Sequence, residues 1–353
     1  MHSRDGFETR LYQTPMMIPR YIVLFLTTAC NLDCVYCYRG KRGNVQSMPV
    51  KVAVQAIETA AQSGLPFHVQ LSGGEPTLEP ELIEYIASFI RKKGLPATIG
   101  IQTNGTILDA SLIRMFKHYD IQVGVSLDGP PDFHEKLRGK SGLTISGLKL
   151  LSDQDMPFRV TCVVTGQNVA VMDRLALLLG SFPTARGIAL DLLVCKGHAL
   201  KCDCVRPPSP AELKNGLKKL VHTLGWINAN RSHQIKLREL ESLKQAAQKG
   251  NQLYFCHASK GEAMAIHPDG TIYPCAQTVG DPCFACGTVD APNELGLYLL
   301  KQYSLQDEKC EDCPVSGFCP GDCPSRLYYN DTQTRSLTCV MYQTLWEEYV
   351  RSL

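Results

Sequence analysis

The stretch that decides the fold is YIVLFLTTACNLDCVYCY, residues 21–38. It begins with an unbroken apolar run, which is typical of a strand buried on both faces of a sheet. Directly after that run come Cys30, Cys34 and Cys37, separated by three residues and then by two. A disulfide, a zinc site and an iron–sulfur cluster are the three candidates for these thiols.

Five more β-branched apolar runs follow, so that with 21–27 the strand-like segments are 67–71, 97–103, 121–126, 158–164 and 187–194. Amphipathic segments lie between them, as at 49–64, where Pro49 indicates a helix start and Gly64 its end. Apolar strands that alternate with helices predict an α/β fold with a parallel sheet. Six repeats predict an open or partial barrel, a (β/α)6 relative of the TIM barrel, with its chemistry at the carboxyl ends of the strands.

Charge and hydropathy exclude several classes of protein. The 353 residues carry 36 basic and 34 acidic side chains, a net charge of +2, so nothing indicates binding to nucleic acid or to a membrane surface. No signal peptide is recognisable at the start, and the apolar run at 21–29 is too short to span a bilayer. We therefore expect a cytoplasmic protein.

Sixteen cysteines are unusual for such a chain. A reducing compartment does not favour a large disulfide framework, and a chain of this length does not need one, so metal or cluster ligation is the better explanation. Nine of the sixteen lie beyond residue 250, where periodicity fades and Gly and Pro are dense. We expect an N-terminal extension at 1–20, the barrel at 21–195, a linker with two helices at 196–253 (helices near 210–229 and 234–249), and a cluster-bearing domain at 254–353.

The thiols at 30, 34 and 37 do not suit zinc. Structural zinc sites commonly use four protein ligands, and the next cysteine along the chain, Cys162, lies inside an apolar strand where a core role is expected. Three thiolates suit a four-iron cluster in which one iron keeps an open position. An open iron can bind a substrate or a cofactor.

This pattern, with aromatic Tyr36 directly before the third cysteine, resembles the radical S-adenosylmethionine (SAM) enzymes. The resemblance implies that Cys30, Cys34 and Cys37 hold a catalytic [4Fe-4S] cluster whose open iron chelates the amino and carboxylate groups of SAM. One electron, from a reductant such as ferredoxin or flavodoxin, then breaks the C–S bond. The products are methionine and a 5′-deoxyadenosyl radical that abstracts a hydrogen atom.

Other strand ends resemble the same family. LSGGEPTL (71–78) matches the element that binds the methionyl amino group, here Gly73, Gly74, Glu75 and Pro76. QTNGT (102–106) and VSLDG (125–129) imply that the SAM ribose or the substrate is faced by Asn104, Ser126 and Asp128. Tyr36 is expected against the adenine, and Arg138 against the carboxylate or the substrate. The alternatives for these residues are a strand-to-helix turn, hydrogen bonding at strand ends and a solvated loop.

The C-terminal cysteines resemble the SPASM extension of radical SAM enzymes, and the two resemblances together cover nearly the whole chain. They imply three [4Fe-4S] clusters, the two auxiliary ones with interleaved ligands. The outer cluster would use Cys310, Cys313, Cys319 and Cys339, and the inner one would use Cys256, Cys275 and Cys323. Electron transfer or substrate ligation is the expected role, with a purely structural role as the alternative.

Most SPASM enzymes modify peptides or proteins. Sulfatase maturases carry an extra cysteine after the first inner ligand and an acidic base after the second, but residues 257–269 contain no cysteine and Cys275 is followed by Ala276 and Gln277. Neither can take a proton from a thiol at neutral pH. The segment IYPCAQTVGDPCFACGTV (272–289) instead resembles maturases that form thioethers in cysteine-rich peptides.

We therefore expect a thioether or another cross-link to be installed in a ribosomally made peptide. Formylglycine formation, a small-molecule substrate and, outside enzymes, an iron–sulfur electron carrier remain alternatives, although Gly73–Pro76 argue against a carrier. Some twenty residues precede the first strand, so we expect a leader peptide to be bound by a separate leader-peptide-binding protein, by the barrel itself, or not at all. Cys283 and Cys286 are candidates for a fourth inner ligand or a redox pair; otherwise the inner iron is open to a substrate thiolate.

Overall fold

The computed structural model describes residues 18–40, 43–250, 254–304, 310, 312–330 and 336–351. Its strands are β1 Tyr21–Phe25, β2 Phe67–Ser72, β3 Ala97–Thr103, β4 Ile121–Ser126, β5 Phe158–Val164, β6 Ala185–Leu192, β7 Lys236–Leu237, β8 Ala263–Ile266, β9 Ile272–Tyr273, β10 Gly287–Thr288 and β11 Ala291–Pro292. The first six coincide with the predicted runs to within a few residues. The predicted α/β fold, a partial TIM-like barrel, is confirmed.

Helices follow most of the strands. They are α1 Val50–Ala61, α2 Pro80–Lys92, α3 Ala110–His118, α4 Pro131–Leu137, α5 Ser141–Asp153, α6 Met172–Gly180, α7 Pro210–Asn228, α8 Arg238–Lys249, α9 His257–Lys260, α10 Leu295–Lys301, α11 Pro324–Tyr329 and α12 Ser336–Arg351. Within the described residues, none is long and apolar enough to cross a membrane. The helices predicted near 210–229 and 234–249 correspond to α7 and α8.

Nine strands form one sheet, in the order β7-β6-β5-β4-β3-β2-β1-β8-β9. All neighbours are parallel except β8 and β9, which are antiparallel. Strand β8 was not expected. It comes from the cysteine-rich segment and pairs with β1 in the register Tyr21↔Ala263, so this segment extends the barrel sheet.

The two faces of β1 are buried in different cores. Ile22 and Leu24 belong to the large core between the sheet and its outer helices. Val23 and Phe25, one residue out of phase, pack with the C-terminal segment, including Phe284. Because side chains alternate along a strand, an unbroken apolar run is what a strand shared by two cores requires.

Helix α7 begins at a capping box. The Ser209 hydroxyl accepts the Glu212 N–H at 3.3 Å, the Glu212 carboxylate accepts the Ser209 N–H at 2.7 Å, and Pro210 occupies the first turn. The last helix, α12, packs against α7 and α8. Its Glu348 carboxylate lies 2.7 Å from His222 Nε2 of α7. Helix α12 thereby attaches the end of the chain to the barrel.

We expect the packing of α12 on α7 to stabilise the whole fold. Leu345 is fully buried on α12, so Leu345→Ala should cost about 2–5 kcal/mol. Val350→Ala, on an exposed position of the same helix, should change stability by less than about 0.5 kcal/mol. Thermal unfolding followed by circular dichroism measures both, and equal melting temperatures for the two variants would contradict this packing.

Candidate active site

The loop after β1 carries Cys30, Cys34 and Cys37, here called the barrel triad, and all three are partly buried. The pKa of Cys34 is raised to about 12, chiefly by burial; the Arg138 guanidinium opposes the rise, and negative charge on Cys37, Asp128 and Cys30 contributes to it. The three thiols therefore lie close enough to interact electrostatically. The structure brings together the residues that the spacing predicts as cluster ligands.

The loop after β6 holds the barrel triad from the opposite side, and the sequence analysis missed it. The His198 N–H donates to the Cys37 carbonyl at 2.9 Å, and its Nδ1 lies 3.2 Å from the Cys34 carbonyl. Gly197 has φ +64°, and a Cβ there would lie 2.4 Å from the Cys37 oxygen. In the sequence, the signal for this contact was Gly197 directly before His198, just after the predicted strand at 187–194.

The two glycines after β2 pack against the backbone that leads into the barrel triad. Gly73 has φ +135°, and a Cβ on Gly74 would lie 1.8 Å from the Ala29 oxygen. The Gly74 N–H donates to the Thr27 carbonyl and the Glu75 N–H to that of Ala29, both at 2.8 Å. Glycine is therefore required at both positions because the backbone of this turn packs directly against the backbone of residues 27–29, whether or not a ligand binds.

Glu75 is almost completely buried and its carboxylate joins the ends of β2 and β3. One oxygen accepts from Thr77 Oγ1 at 2.5 Å and from Thr103 Oγ1 at 2.6 Å, and the other accepts the Asn104 N–H at 2.8 Å. Burial raises its pKa, while these hydrogen bonds lower it. The carboxylate therefore holds the ends of β2 and β3 together. This role matches the alternative interpretation of the motif, a strand-to-helix turn.

Asn104 is tied to the barrel triad through Asn31. Its amide nitrogen donates to Asn31 Oδ1 at 2.8 Å, and its oxygen accepts the Thr106 N–H at 2.9 Å. Asn31 in turn donates to Thr106 Oγ1 at 2.8 Å. The side chain predicted to face the ribose thus positions the residue next to Cys30.

Asp128, buried after β4, fixes Tyr36 and Arg138. The Tyr36 hydroxyl and Arg138 Nε both donate to its Oδ2, the latter at 2.7 Å, and Oδ1 accepts the Val163 N–H at 2.9 Å. The guanidinium carbon of Arg138 lies 5.3 Å from the centre of the Tyr36 ring, a cation–π contact. Asp128 therefore orients two of the residues predicted at the cofactor site.

Ser126 occupies a different environment, on the half-buried side of β4. Its hydroxyl accepts from Gln102 Nε2 at 3.0 Å, and Thr161 donates to Gln102 Oε1 at 3.3 Å. These three polar side chains from β3, β4 and β5 are neighbours across the sheet, since Gln102 pairs in register with Gly124 and Ser126 with Thr161. They form a polar row able to hydrogen-bond a ligand.

Cys256, Cys275 and Cys323, here called the inner triad, also lie together. The pKa of Cys275 is raised to about 11, chiefly by burial and also by the nearby Cys256. Burial also raises the pKa of Cys323 strongly, with added contributions from Cys275 and Cys256. Cys256 precedes α9, Cys275 follows β9 and Cys323 precedes α11, so three distant segments converge here.

Cys283 and Cys286 lie in other surroundings. Cys283 is exposed and hydrogen-bonds the Tyr328 side chain. Cys286 is buried in the large core, its thiol 3.5 Å from the Phe284 carbonyl and its backbone N–H bonded to Ile272. Cys202 and Cys204 form a disulfide, and Cys162 is a fully buried core residue, as expected.

Four more thiols, Cys310, Cys313, Cys319 and Cys339, gather near the end of the chain and are here called the outer tetrad. The pKa of Cys319 is raised to about 11, chiefly by burial and also by the other three thiols. Two donors reach the sulfurs: the Gly321 N–H at Cys319 and Gln343 Nε2 at Cys313, both at 3.4 Å. Cys339 comes from α12, so this group joins that helix to the preceding loop.

The grouping of the thiols fits iron–sulfur clusters better than single ions. Across the described ranges, no three His, Cys, Asp or Glu side chains are arranged around one metal-ion position. A single zinc ion needs ligands within about 2.3 Å, whereas a four-iron cluster spreads its thiolates more widely. Donor sets of three, three and four thiols suit [4Fe-4S] ligation, and N–H groups reach the sulfurs of Cys275, Cys319 and Cys313.

A buried histidine connects these strand ends. His134 of α4 accepts the Asp128 N–H on Nδ1 at 3.3 Å, and its Nε2 lies 3.4 Å from Thr144 Oγ1, which donates to the Asn104 carbonyl at 3.0 Å. Burial lowers its pKa to about 4; the Arg138 charge also lowers it, while Asp128 and Glu135 raise it. The ring is therefore neutral in the folded protein at neutral pH.

We expect His134 to make the fold sensitive to acid. Its pKa is lower folded than unfolded, so its neutral form stabilises the fold above about pH 6.5, and this contribution is lost as the pH falls toward 4. At pH 5.5 the loss should be about 1.4 kcal/mol. His134→Gln keeps an acceptor for the Asp128 N–H but does not titrate.

The change in melting temperature between pH 7.5 and pH 5.5 should therefore be smaller for His134→Gln than for the unmodified protein. His233→Gln is a matched control, since it removes an exposed imidazole. Its pH dependence should equal that of the unmodified protein. An equal pH dependence for His134→Gln would show that this imidazole does not titrate as described.

Comparison of sequences identifies relatives over long stretches. An uncharacterized protein of Methanocaldococcus jannaschii, MJ0907, is 29% identical over 80% of this chain and 93% of its own length. The serine-type anaerobic sulfatase-maturating enzyme of Klebsiella aerogenes is 26% identical over 85% of this chain and 78% of its own. The AdoMet-dependent heme synthase of Methanosarcina barkeri is 32% identical, but over 49% of this chain and about half (54%) of its own length.

Two solved structures share the fold. A sulfatase maturase, anSMEcpe with bound AdoMet, superposes with a TM-score of 0.75 at 22% identity and covers 95% of this chain and 98% of that one. Streptococcus suis SuiB, bound to its precursor peptide SuiA, gives a TM-score of 0.67 at 17% identity and covers 92% of this chain and 76% of that one. A sequence model of the radical SAM superfamily matches residues 24–179, which run from the last two residues of β1 into α6 and include the barrel triad. The chain thus contains a radical SAM domain at residues 24–179 and is related to enzymes of that superfamily, among them maturases.

Proposed function

We propose that this enzyme modifies a peptide or protein, and that the modification is a thioether or another cross-link in a ribosomally made peptide. The observation that carries the proposal is the inner triad: Cys256, Cys275 and Cys323 lie close enough to interact electrostatically, and a neutral carboxamide, that of Gln277, contacts Cys323 where a carboxylate base would be expected in a sulfatase maturase. Such a site suits a substrate thiol as its fourth ligand. The related maturases and the peptide-bound SuiB support a peptide substrate.

In this proposal the barrel triad holds the catalytic [4Fe-4S] cluster, and Tyr36, Arg138, the Gly73–Pro76 backbone and Ser126 surround SAM. When bound, cluster and SAM supply a 5′-deoxyadenosyl radical for hydrogen abstraction. Tyr36 and Arg138 are held in one orientation by Asp128, and Glu75 and Asn104 hold the strand ends. Pre-set side chains of this kind lower the cost of ordering a cofactor.

The inner triad and the outer tetrad are proposed to hold one auxiliary [4Fe-4S] cluster each. The inner one adjoins the barrel, because Cys275 follows β9 of the barrel sheet and Lys196, after β6, donates to the Gln277 carbonyl at 2.7 Å. The outer one fixes α12 against the loop at 310–323. An electron could pass from a ferredoxin or flavodoxin, or back from the substrate, through this pair.

Three further assignments belong to the proposal. The first is the division of the chain into 1–20, 21–195, 196–253 and 254–353. These are proposed as functional parts and not as separately folded domains, because β8 of the last part joins the barrel sheet. A separate leader-peptide-binding protein and a cytoplasmic location are proposed with it. No nucleic-acid or membrane partner is proposed.

Formylglycine formation is the second candidate, because a sulfatase maturase is a relative over 85% of this chain. It needs a base for the substrate thiol or hydroxyl, and the residues after Cys275 are Ala276 and Gln277. Incubating the reduced, cluster-loaded enzyme with SAM and cysteine-containing peptides separates the two. A cross-linked product lacks two hydrogen atoms and its free thiol, whereas formylglycine reacts as an aldehyde.

We expect the barrel triad to be required for SAM cleavage and for one cluster. Replacing Cys30, Cys34 and Cys37 with Ala should lower the iron content by about four atoms per chain and abolish 5′-deoxyadenosine formation, because these three thiols are the proposed ligands of the SAM-binding cluster. Iron analysis and chromatography of the nucleoside measure both. The control is Cys162→Ala, which removes a core thiol and should leave iron unchanged. Full 5′-deoxyadenosine production by the triple variant would refute the assignment.

We expect Cys283 and Cys286 to be dispensable for the inner cluster. The double variant Cys283→Ala, Cys286→Ala should keep about twelve iron atoms and its activity, since neither thiol lies with the inner triad. Cys323→Ala should lose about four. An equal loss of iron in both variants would mean that one of the pair is a ligand, and the open-site interpretation would fail.

A further inference from the structure

Two neutral polar side chains lie among the inner triad. Ser325 Oγ is 3.1 Å from Cys323 Sγ and 4.0 Å from Cys275 Sγ, and Gln277 Oε1 is 3.5 Å from Cys323 Sγ. The serine hydroxyl also donates to Gln277 Oε1. The hydroxyl and the carboxamide thus form a hydrogen-bonded pair in direct contact with two of the three predicted ligands.

Both side chains are held firmly by the surrounding chain. Ser325 is almost fully buried, at the second position of α11, two residues after Cys323. The Gln277 N–H donates to Cys275 Sγ at 3.4 Å, and its carbonyl accepts from Lys196 Nζ at 2.7 Å. Lys196 also lies 5.0 Å from the ring centre of Tyr329. The surrounding structure therefore fixes the positions of Ser325 and Gln277 beside the sulfurs.

A serine hydroxyl and a carboxamide can each hydrogen-bond a cysteine sulfur in both its protonated and its deprotonated form. A thiol donates a hydrogen bond, while a thiolate bound to iron only accepts. A serine hydroxyl can reverse its direction by rotating its proton, and a carboxamide by exchanging its oxygen and NH₂ positions. Serine and glutamine can therefore satisfy Cys323 before and after metal loading. A carboxylate could satisfy only the thiol.

We propose that Ser325 and Gln277 are positioning residues of the inner cluster, which turn their donors toward the Cys323 and Cys275 sulfurs and thereby set the reduction potential of that cluster. The inference rests on the proposed function, since it assumes that the inner triad holds a cluster. Donors to cluster sulfurs stabilise the more negative, reduced state and raise the potential. A carboxylate at position 277 would have the opposite effect.

The experiment uses the full chain with Cys30, Cys34 and Cys37 replaced by Ala, so that two clusters remain. Ser325→Ala and Gln277→Glu are compared in this background by iron analysis and by redox titration followed by electron paramagnetic resonance. The control is Thr278→Val, which removes a hydroxyl that bonds the Cys275 carbonyl at 2.8 Å and leaves the sulfur contacts in place.

We expect Ser325→Ala and Gln277→Glu to shift the oxidised-to-reduced equilibrium of one cluster about tenfold toward the oxidised state, which for one electron is about 59 mV. The outer cluster serves as the internal reference and should not move. Thr278→Val should leave both potentials unchanged. Unchanged potentials in Ser325→Ala and Gln277→Glu, at full iron content, would overturn the inference.

Two further outcomes are decisive. If Ser325→Ala cannot hold the inner cluster, Ser325→Thr, which keeps the hydroxyl, should hold it; failure of both would show that size rather than hydrogen bonding matters and would overturn the inference. If the background protein itself holds only one cluster, and Cys323→Ala loses no iron, the proposed function fails instead. The two failures are thus distinguishable.

Discussion

Strand β1 is the element on which the two parts of this enzyme depend. Its Ile22 and Leu24 are buried under the outer helices of the barrel, while Val23 and Phe25 are buried under the C-terminal segment. It also pairs on one side with β2 and on the other with β8. Both cores therefore share this strand, and the loop that follows it carries the barrel triad. Packing of the C-terminal segment is thus coupled directly to the position of the loop that carries the barrel triad.

Around that loop, buried carboxylates act as fixed acceptors. Asp128 binds Tyr36 and Arg138, and Glu75 binds Thr103 and the Asn104 N–H. A buried carboxylate is costly unless hydrogen bonds and an opposite charge satisfy it, and once satisfied it has few other low-energy arrangements. The site is accordingly pre-organised by groups that need not touch the cofactor themselves.

Much of the fold could be predicted from sequence, because parallel strands buried on both faces leave continuous apolar runs. Strand β8 could not, since AMAI (263–266) is only four residues long and pairs with β1 across more than two hundred residues of sequence. The grouping of the cysteines into three sets could be predicted from the resemblance of their spacing to a known motif. The burial of the Glu75 and Asp128 carboxylates could not, because it depends on partners such as Thr103 and Arg138, which only tertiary structure brings near. Lys196, Gly197 and His198 were missed for the same reason.

The barrel triad and the inner triad differ in the side chains closest to their sulfurs, and this difference bears on what each can do. The barrel triad has the Arg138 guanidinium beside it, which lowers the pKa of Cys34 against the effect of burial. The inner triad is faced by the neutral hydroxyl and amide of Ser325 and Gln277. A site that must accept an additional anionic ligand, such as a substrate thiolate, is better served by neutral groups that can donate than by a carboxylate that would repel it. The choice of amide over acid at position 277 is therefore consistent with the inner triad as the place where substrate sulfur is bound.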